Sequence, residues 1–108
     1  MLDADNYPDE ASLKQIREYD LLEQPFSGLL QLLWENTNWA DRQIFMRGKH
    51  VIHLTYSTGG WSGNENVVDA LRANILFWGL CWERTDAGGH YYFRIDLRQM
   101  QGMHRRMK

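Results

Sequence analysis

The segment Ser57–Val68, STGGWSGNENVV, gathers the residue types best able to do chemistry in this chain. Gly59, Gly60 and Gly63 allow close approach of a ligand to the backbone and positive φ angles. Ser57, Thr58, Ser62 and Asn64 supply hydrogen-bonding groups, and Trp61 can stack on a flat ring. If the segment joins a strand to a helix, free N–H groups at the helix start can receive a phosphate, a carboxylate or a nucleotide. The loop has neither the lysine of a P-loop nor the GxGxxG fingerprint of dinucleotide sites, and Glu65 at the helix start repels an anion. The competing reading is a tight turn in which Trp61 plugs the sheet and Glu65 completes a helix cap.

Histidines and the single cysteine give little else. His50 and His53 are three residues apart, which on a strand sends them to opposite faces and prevents shared chelation. His90 follows Gly88-Gly89 and can face the rim of the glycine loop, where with Ser62 or Glu65 it would form part of a hydrolytic or transferase site. No GxSxG elbow or HExxH helix accompanies it. Cys81 lies among Phe77, Trp78, Leu80 and Trp82, a setting for a buried, inert thiol. No catalytic residue, metal ligand or cofactor is assigned. Five tryptophans and five tyrosines in 108 residues exceed what one small core must bury, and a surplus marks a recognition surface.

Periodicity predicts the elements that position these residues. Pro8-Asp9-Glu10 starts a helix over about 9–19, with Leu13, Ile16 and Tyr19 on one stripe. Phe26, Leu29, Leu30, Leu33 and Trp34 predict a second from about Pro25 to Glu35. Residues 39–49 read as an irregular or partly helical connection. His50–Ser57 alternates as a strand with Ile52, Leu54 and Tyr56 inward. A helix from about Glu65 to Asn74 follows, capped by Asn64 or Ser62. Ile75–Glu83 reads as a buried strand, Asp86–Gly89 as a turn, and His90–Leu97 as an antiparallel partner with Phe93 and Ile95 inward. The expected fold is therefore α+β and a single domain over 1–108. It has an N-terminal helical part at about 8–36 and a β-α-β-β part at about 50–97. A right-handed crossover and a hairpin build a three-stranded sheet with helices packed on one face. Residues 98–108 are expected to form a flexible basic tail.

Composition narrows the function classes. The hydrophobic fraction is 44%, enough for one core without a metal or disulfide staple. A lone cysteine allows no internal disulfide, fitting a reducing compartment. The longest apolar run, Ile75–Trp82, is far shorter than the about 20 residues of a membrane span, and MLDADNYPDE is not a signal peptide. A cytoplasmic protein with no membrane role is expected. Residues 1–37 hold eight acids against two bases, whereas the C-terminal end carries Arg98, Arg105, Arg106 and Lys108 without an acid. Nucleic acid would need a basic, aromatic face, for which only the side of Arg94, Arg98, Arg105 and Arg106 offers material. A pI near 6.0 argues against it. A homodimer is compatible with the sequence.

STGGWSGNE, followed by FW, CW and GGHYYF, resembles a group of small, functionally uncharacterised proteins encoded by tailed bacteriophages and prophages. The resemblance covers mainly Val51–Ile95, with a looser echo in PDEASLKQIREYD. It implies a phage accessory protein made in the bacterial host cytoplasm, of a kind that engages host factors or sequesters defence signals. The sequence as a whole thus points to a non-enzymatic binding protein. Its expected site is Ser57, Thr58, Gly59, Gly60, Trp61, Ser62, Gly63, Asn64, Glu65 and His90, taking a host protein or a small anionic ligand.

Overall fold

The computed structural model describes residues 1–107, with the side chains of Gln101 and of residues 104–107 outside that description. The basic end formed by Arg105, Arg106 and Lys108 therefore lies outside the described side chains. The fold is α+β, and its elements follow the apolar pattern wherever that pattern is periodic. Helix α1 spans Glu10–Arg17, capped by Asp9, whose carboxylate accepts from the Ser12 amide at 2.7 Å. Hydrogen bonding to Ser12, through its side chain first and its amide second, holds the Asp9 carboxyl below its usual pKa. Helix α2, Phe26–Glu35, follows Pro25 and buries Phe26, Leu29 and Leu33. Strand β2, Val51–Ser57, turns Ile52, Leu54 and Tyr56 into the core.

Four stretches of the chain differ from the expectation. Residues 39–49 hold a short helix α3, Ala40–Gln43, and a strand β1, Ile44–Arg47, which pairs antiparallel with β2. Helix α4, Ser62–Ala73, begins before Asn64, and neither Ser62 nor Asn64 caps it. Ile75–Cys81 is helix α5, not a strand. Asn74 caps it by accepting from the Phe77 amide at 3.0 Å, Phe77 and Cys81 are buried one turn apart, and Ile75 is 83% exposed. An apolar run of this length fits either element, and the cap decides it. Strand β3 is then Trp82–Asp86 and pairs with β4, His90–Asp96. Finally, Leu97–Met107 forms helix α6 where a flexible tail was expected. Asp96 accepts from the Gln99 amide at its start, and Met100 anchors it in the core.

The sheet has four strands in the order β1-β2-β4-β3, every ladder antiparallel. No parallel crossover exists among them, because β4 lies between β2 and β3. Helices pack on one face only. Leu13, Ile16, Leu29, Leu33, Val67, Val68, Leu71 and Phe77 meet Ile52, Leu54, Tyr56, Phe93 and Ile95 in a single core. At its centre Thr37 donates to the Leu33 carbonyl at 2.6 Å, so the buried Tyr56 hydroxyl must donate to Thr37, also at 2.6 Å. Burial pushes the Tyr56 phenol well above its usual pKa and the Cys81 thiol up to about 12. No helix among the described residues is long and apolar enough to cross a membrane.

Two outcomes test this arrangement. Nothing lies within 4 Å of a Cβ built on Gly79. In a helix, Gly79→Ala therefore raises stability by about 0.5–1 kcal/mol, read from the urea midpoint. In the unfolded chain the Cys81 thiol ionises near its ordinary value of 9.0, but in the fold burial pushes its pKa up to about 12. Above about pH 9 the unfolded state therefore binds fewer protons than the native state, and stability falls as pH rises. Urea melts between about pH 8 and 10.5 should show that decline, shallower in Cys81→Ser.

Candidate functional site

The chain leaves the sheet at Ser57 and enters α4 at Ser62 through a four-residue bend. Gly59 and Gly60 take left-handed φ angles of 63° and 75°. A Cβ on Gly59 would lie 2.7 Å from the Gln43 side-chain nitrogen, whose flexible end could move, so it is the positive φ that requires glycine there. The Trp61 amide donates to the Thr58 carbonyl at 3.1 Å, and the Thr58 amide donates to the Gly89 carbonyl at 3.0 Å. The bend is thus fastened to the turn between β3 and β4. Gly89 permits that approach: a Cβ there would fall 2.3 Å from the Thr58 hydroxyl oxygen.

Asn64 fixes the other side. Its side-chain oxygen accepts from the Asn38 amide at 2.8 Å, while its nitrogen donates to the carbonyls of Asn38 at 3.2 Å and Thr58 at 3.0 Å. The side chain is buried and every polar valence directed at the two loops is used. Asn64 therefore acts as an internal brace between the segment before α3 and the glycine loop, not as a ligand-facing group.

Trp61 lies over this bend half-buried, its indole nitrogen 3.4 Å from the Asn6 carbonyl. Its ring is 5.7 Å from that of Tyr7 and 6.4 Å, edge to face, from that of Trp39. Tyr7 and Ser62 share a hydroxyl hydrogen bond of 2.8 Å. Gly63 is buried beneath the indole, and a Cβ on it would come 2.9 Å from the Trp61 nitrogen. Of the three glycines of the predicted cradle, Gly63 is covered by the chain's own indole, while Gly59 and Gly60 stay exposed. What faces outward is an aromatic ladder, Tyr7–Trp61–Trp39, beside exposed Gly59 and Gly60. Trp39 is 58% exposed and sits at φ 55°, ψ 49°. A bulky residue in the left-handed region costs roughly 1–2 kcal/mol.

His90 is brought to the same corner, with its Nδ1 2.7 Å from the Ser57 hydroxyl oxygen. No hydrogen bond joins it to Ser62 or Glu65 among the described residues; Ser62 is bonded to Tyr7, and the Glu65 amide donates to the Trp61 carbonyl. Asp86 is opposite His90 in the ladder, yet its carboxylate lies 3.4 Å from Arg84. Ser57 is only 7% exposed. The Ser57–His90 pair therefore ties the end of β4 to β2 and presents no accessible nucleophile.

The sequence located one end of this site and missed the other. Ser57–Glu65 and His90 do converge, but Tyr7, Asn38 and Trp39 come from segments without a local motif. The excess of aromatic residues was the one available sign. Residues 57–65 and His90 line neither the groove across the sheet by Phe45 and Tyr92, nor that by Phe26 and Met100, nor that by Leu13 and Asp69. No group of three or more His, Cys, Asp or Glu side chains converges as a metal site among the described residues. Compared with family models, curated proteins and solved structures, the chain has no match.

Removing the brace should be expensive for the fold. Asn64→Ala removes the partner of the Asn38 amide and of the Asn38 carbonyl, leaves the Thr58 carbonyl with the Trp61 amide alone, and lowers stability by about 2–4 kcal/mol, whereas exposed Ser62→Ala stays within about 1 kcal/mol, both by chemical denaturation.

Proposed function

We propose that this chain is a non-enzymatic phage accessory protein that binds a host protein through the Trp39–Trp61–Tyr7 ladder. The observation that carries this reading is Trp39, a large apolar side chain held outward on a strained backbone. Strain of that kind persists only where the surroundings impose it, and the Asn38 backbone pinned by Asn64 supplies the imposition. Exposed indoles flanked by tyrosine are the usual anchors of protein recognition.

The charged neighbours specify the partner further. Asp5 precedes the Asn6–Tyr7 pair, Asp41 follows Trp39, and Glu65 lies in the first turn of α4, with Arg42 as the nearest base along the chain. Carboxylates around an aromatic ladder favour a segment bearing lysine or arginine, which gains both ion-pair and cation–π attraction. The same carboxylates, and the indole over the bend, speak against a small anion at this loop. A hydrolase or transferase using His90 with Ser62 or Glu65 has less support, since His90 is bonded to Ser57 and Ser62 to Tyr7, and no hydrogen bond joins His90 to Glu65 among the described residues. Nucleic-acid binding through the C-terminal end rests largely on Arg105 and Arg106, beyond the described side chains.

Affinity capture from bacterial lysate with wild type, Trp39→Ala and Trp39→Gly as parallel baits tests the reading. Wild type retains a partner that both variants lose by about tenfold or more. Trp39→Gly stays within about 1 kcal/mol of wild-type stability, because relief of the left-handed backbone offsets the lost ring contact. Equal capture by all three baits would overturn the assignment.

A further inference from the structure

The sheet has a second face, and no helix among the described residues covers it. The register lines up its outward residues in rows that cannot be read along the chain. One row runs Phe45–Thr55–Tyr92–Arg84, since Phe45 pairs with Thr55, Thr55 with Tyr92, and Tyr92 with Arg84. The next row, two residues along β2, runs Arg47–His53–Arg94. A groove of about 560 Å³ crosses both rows. Phe45 is 57% exposed, and the Arg84 guanidinium lies 4.2 Å from the Tyr92 ring centroid.

From this juxtaposition we propose that the uncovered face of the sheet is a binding site for single-stranded nucleic acid. Phe45 and Tyr92 are separated by one intervening strand, about 10 Å, with small Thr55 between them. Two rings at that spacing can each stack an unpaired base. The row beside them holds two guanidinium groups and an imidazole and no carboxylate, where a phosphate backbone is attracted. Asp86 is paired with Arg84 at 3.4 Å and Asp96 with Arg94 at 3.7 Å, while Glu83, exposed on the edge strand, is the one carboxylate that lines the groove among the described residues. These ion pairs are solvent-exposed, so phosphate can compete for the arginines at little cost. Arg47 has no ion pair among the described residues. Bases locked in a duplex cannot reach rings that stand on a sheet, which is why the single strand is the occupant.

The test is fluorescence anisotropy of labelled single strands of about ten nucleotides at roughly 50 mM salt. Wild type binds, and affinity falls as salt rises. Tyr92→Ala and Phe45→Ser each weaken binding by about tenfold, and Arg47→Gln lowers the slope of log affinity against log salt by about one. Phe45 is on the exposed edge strand, so its replacement leaves the fold intact even if Tyr92→Ala perturbs it; circular dichroism verifies both. Trp39→Ala binds the strand as wild type does. The proposal is overturned by no anisotropy change up to about 100 µM protein. Equal competition by duplex or by a mononucleotide, or unchanged binding in both Phe45→Ser and Arg47→Gln, overturns it too.

Discussion

The amide of Asn64 joins two segments distant in sequence: the Asn38 backbone before α3 and the Thr58 carbonyl at the start of the glycine bend. Because Asn64 is itself in the first turn of α4, and α4 is rooted in the core by Val67, Val68 and Leu71, the brace is carried on a rigid element. The direction of Trp39 follows from it. So does the closeness of Trp39 to Trp61. Asn74 plays the same part at the opposite end of α4, capping α5 while donating to the carbonyls of Ile16 at 2.9 Å and Tyr19 at 2.8 Å. Two buried asparagines thus fasten one helix to four separate pieces of backbone. Buried amides are tolerable only when satisfied, and no buried side-chain nitrogen or oxygen lacks a partner among the described residues.

A sheet with one helical layer has one core, and everything apolar must compete for that side. Ile52, Leu54, Tyr56, Phe93 and Ile95 take it. Strand alternation then forces His53, Thr55, Tyr92 and Arg94 outward, whatever their chemistry. The two proposed surfaces arise from different parts of this plan. The aromatic ladder is built from the loops at the sheet's end, where chain segments distant in sequence meet. The open face is built from register alone.

Elements with a clean period were legible. The stripe of α2, the alternation of β2 and β4, and the glycine turn before His90 each name their structure through side-chain spacing. The misreadings share a cause. Ile44–Arg47 is a four-residue edge strand whose burial does not alternate, so it leaves no period to detect. Ile75–Cys81 is apolar on nearly every side, and only the Asn74 cap distinguishes helix from strand. The loop residues of the site were legible because glycine and histidine are chemically conspicuous. Tyr7 and Trp39 were not, since a contact spanning 55 residues, such as Tyr7 with Ser62, has no local mark, and a left-handed tryptophan contradicts every propensity that could announce it.

The misreading of Ile75–Glu83 as one strand also conceals a reversal of charge. Trp82 is opposite Phe93 and stacks on Trp78 on the helical side of the sheet, 5.7 Å apart and nearly parallel. Simple alternation from Trp82 would then set Glu83 opposite Tyr92 on the open face. The ladder instead slips between Trp82 and Arg84, and the extra residue at Glu83 delivers Arg84 to that position. A carboxylate over the negative face of the ring would be repelled, whereas the guanidinium at 4.2 Å is attracted. One bulged residue therefore decides whether the aromatic row of the open face ends in an anion or a cation, and with it which ligands that face can attract.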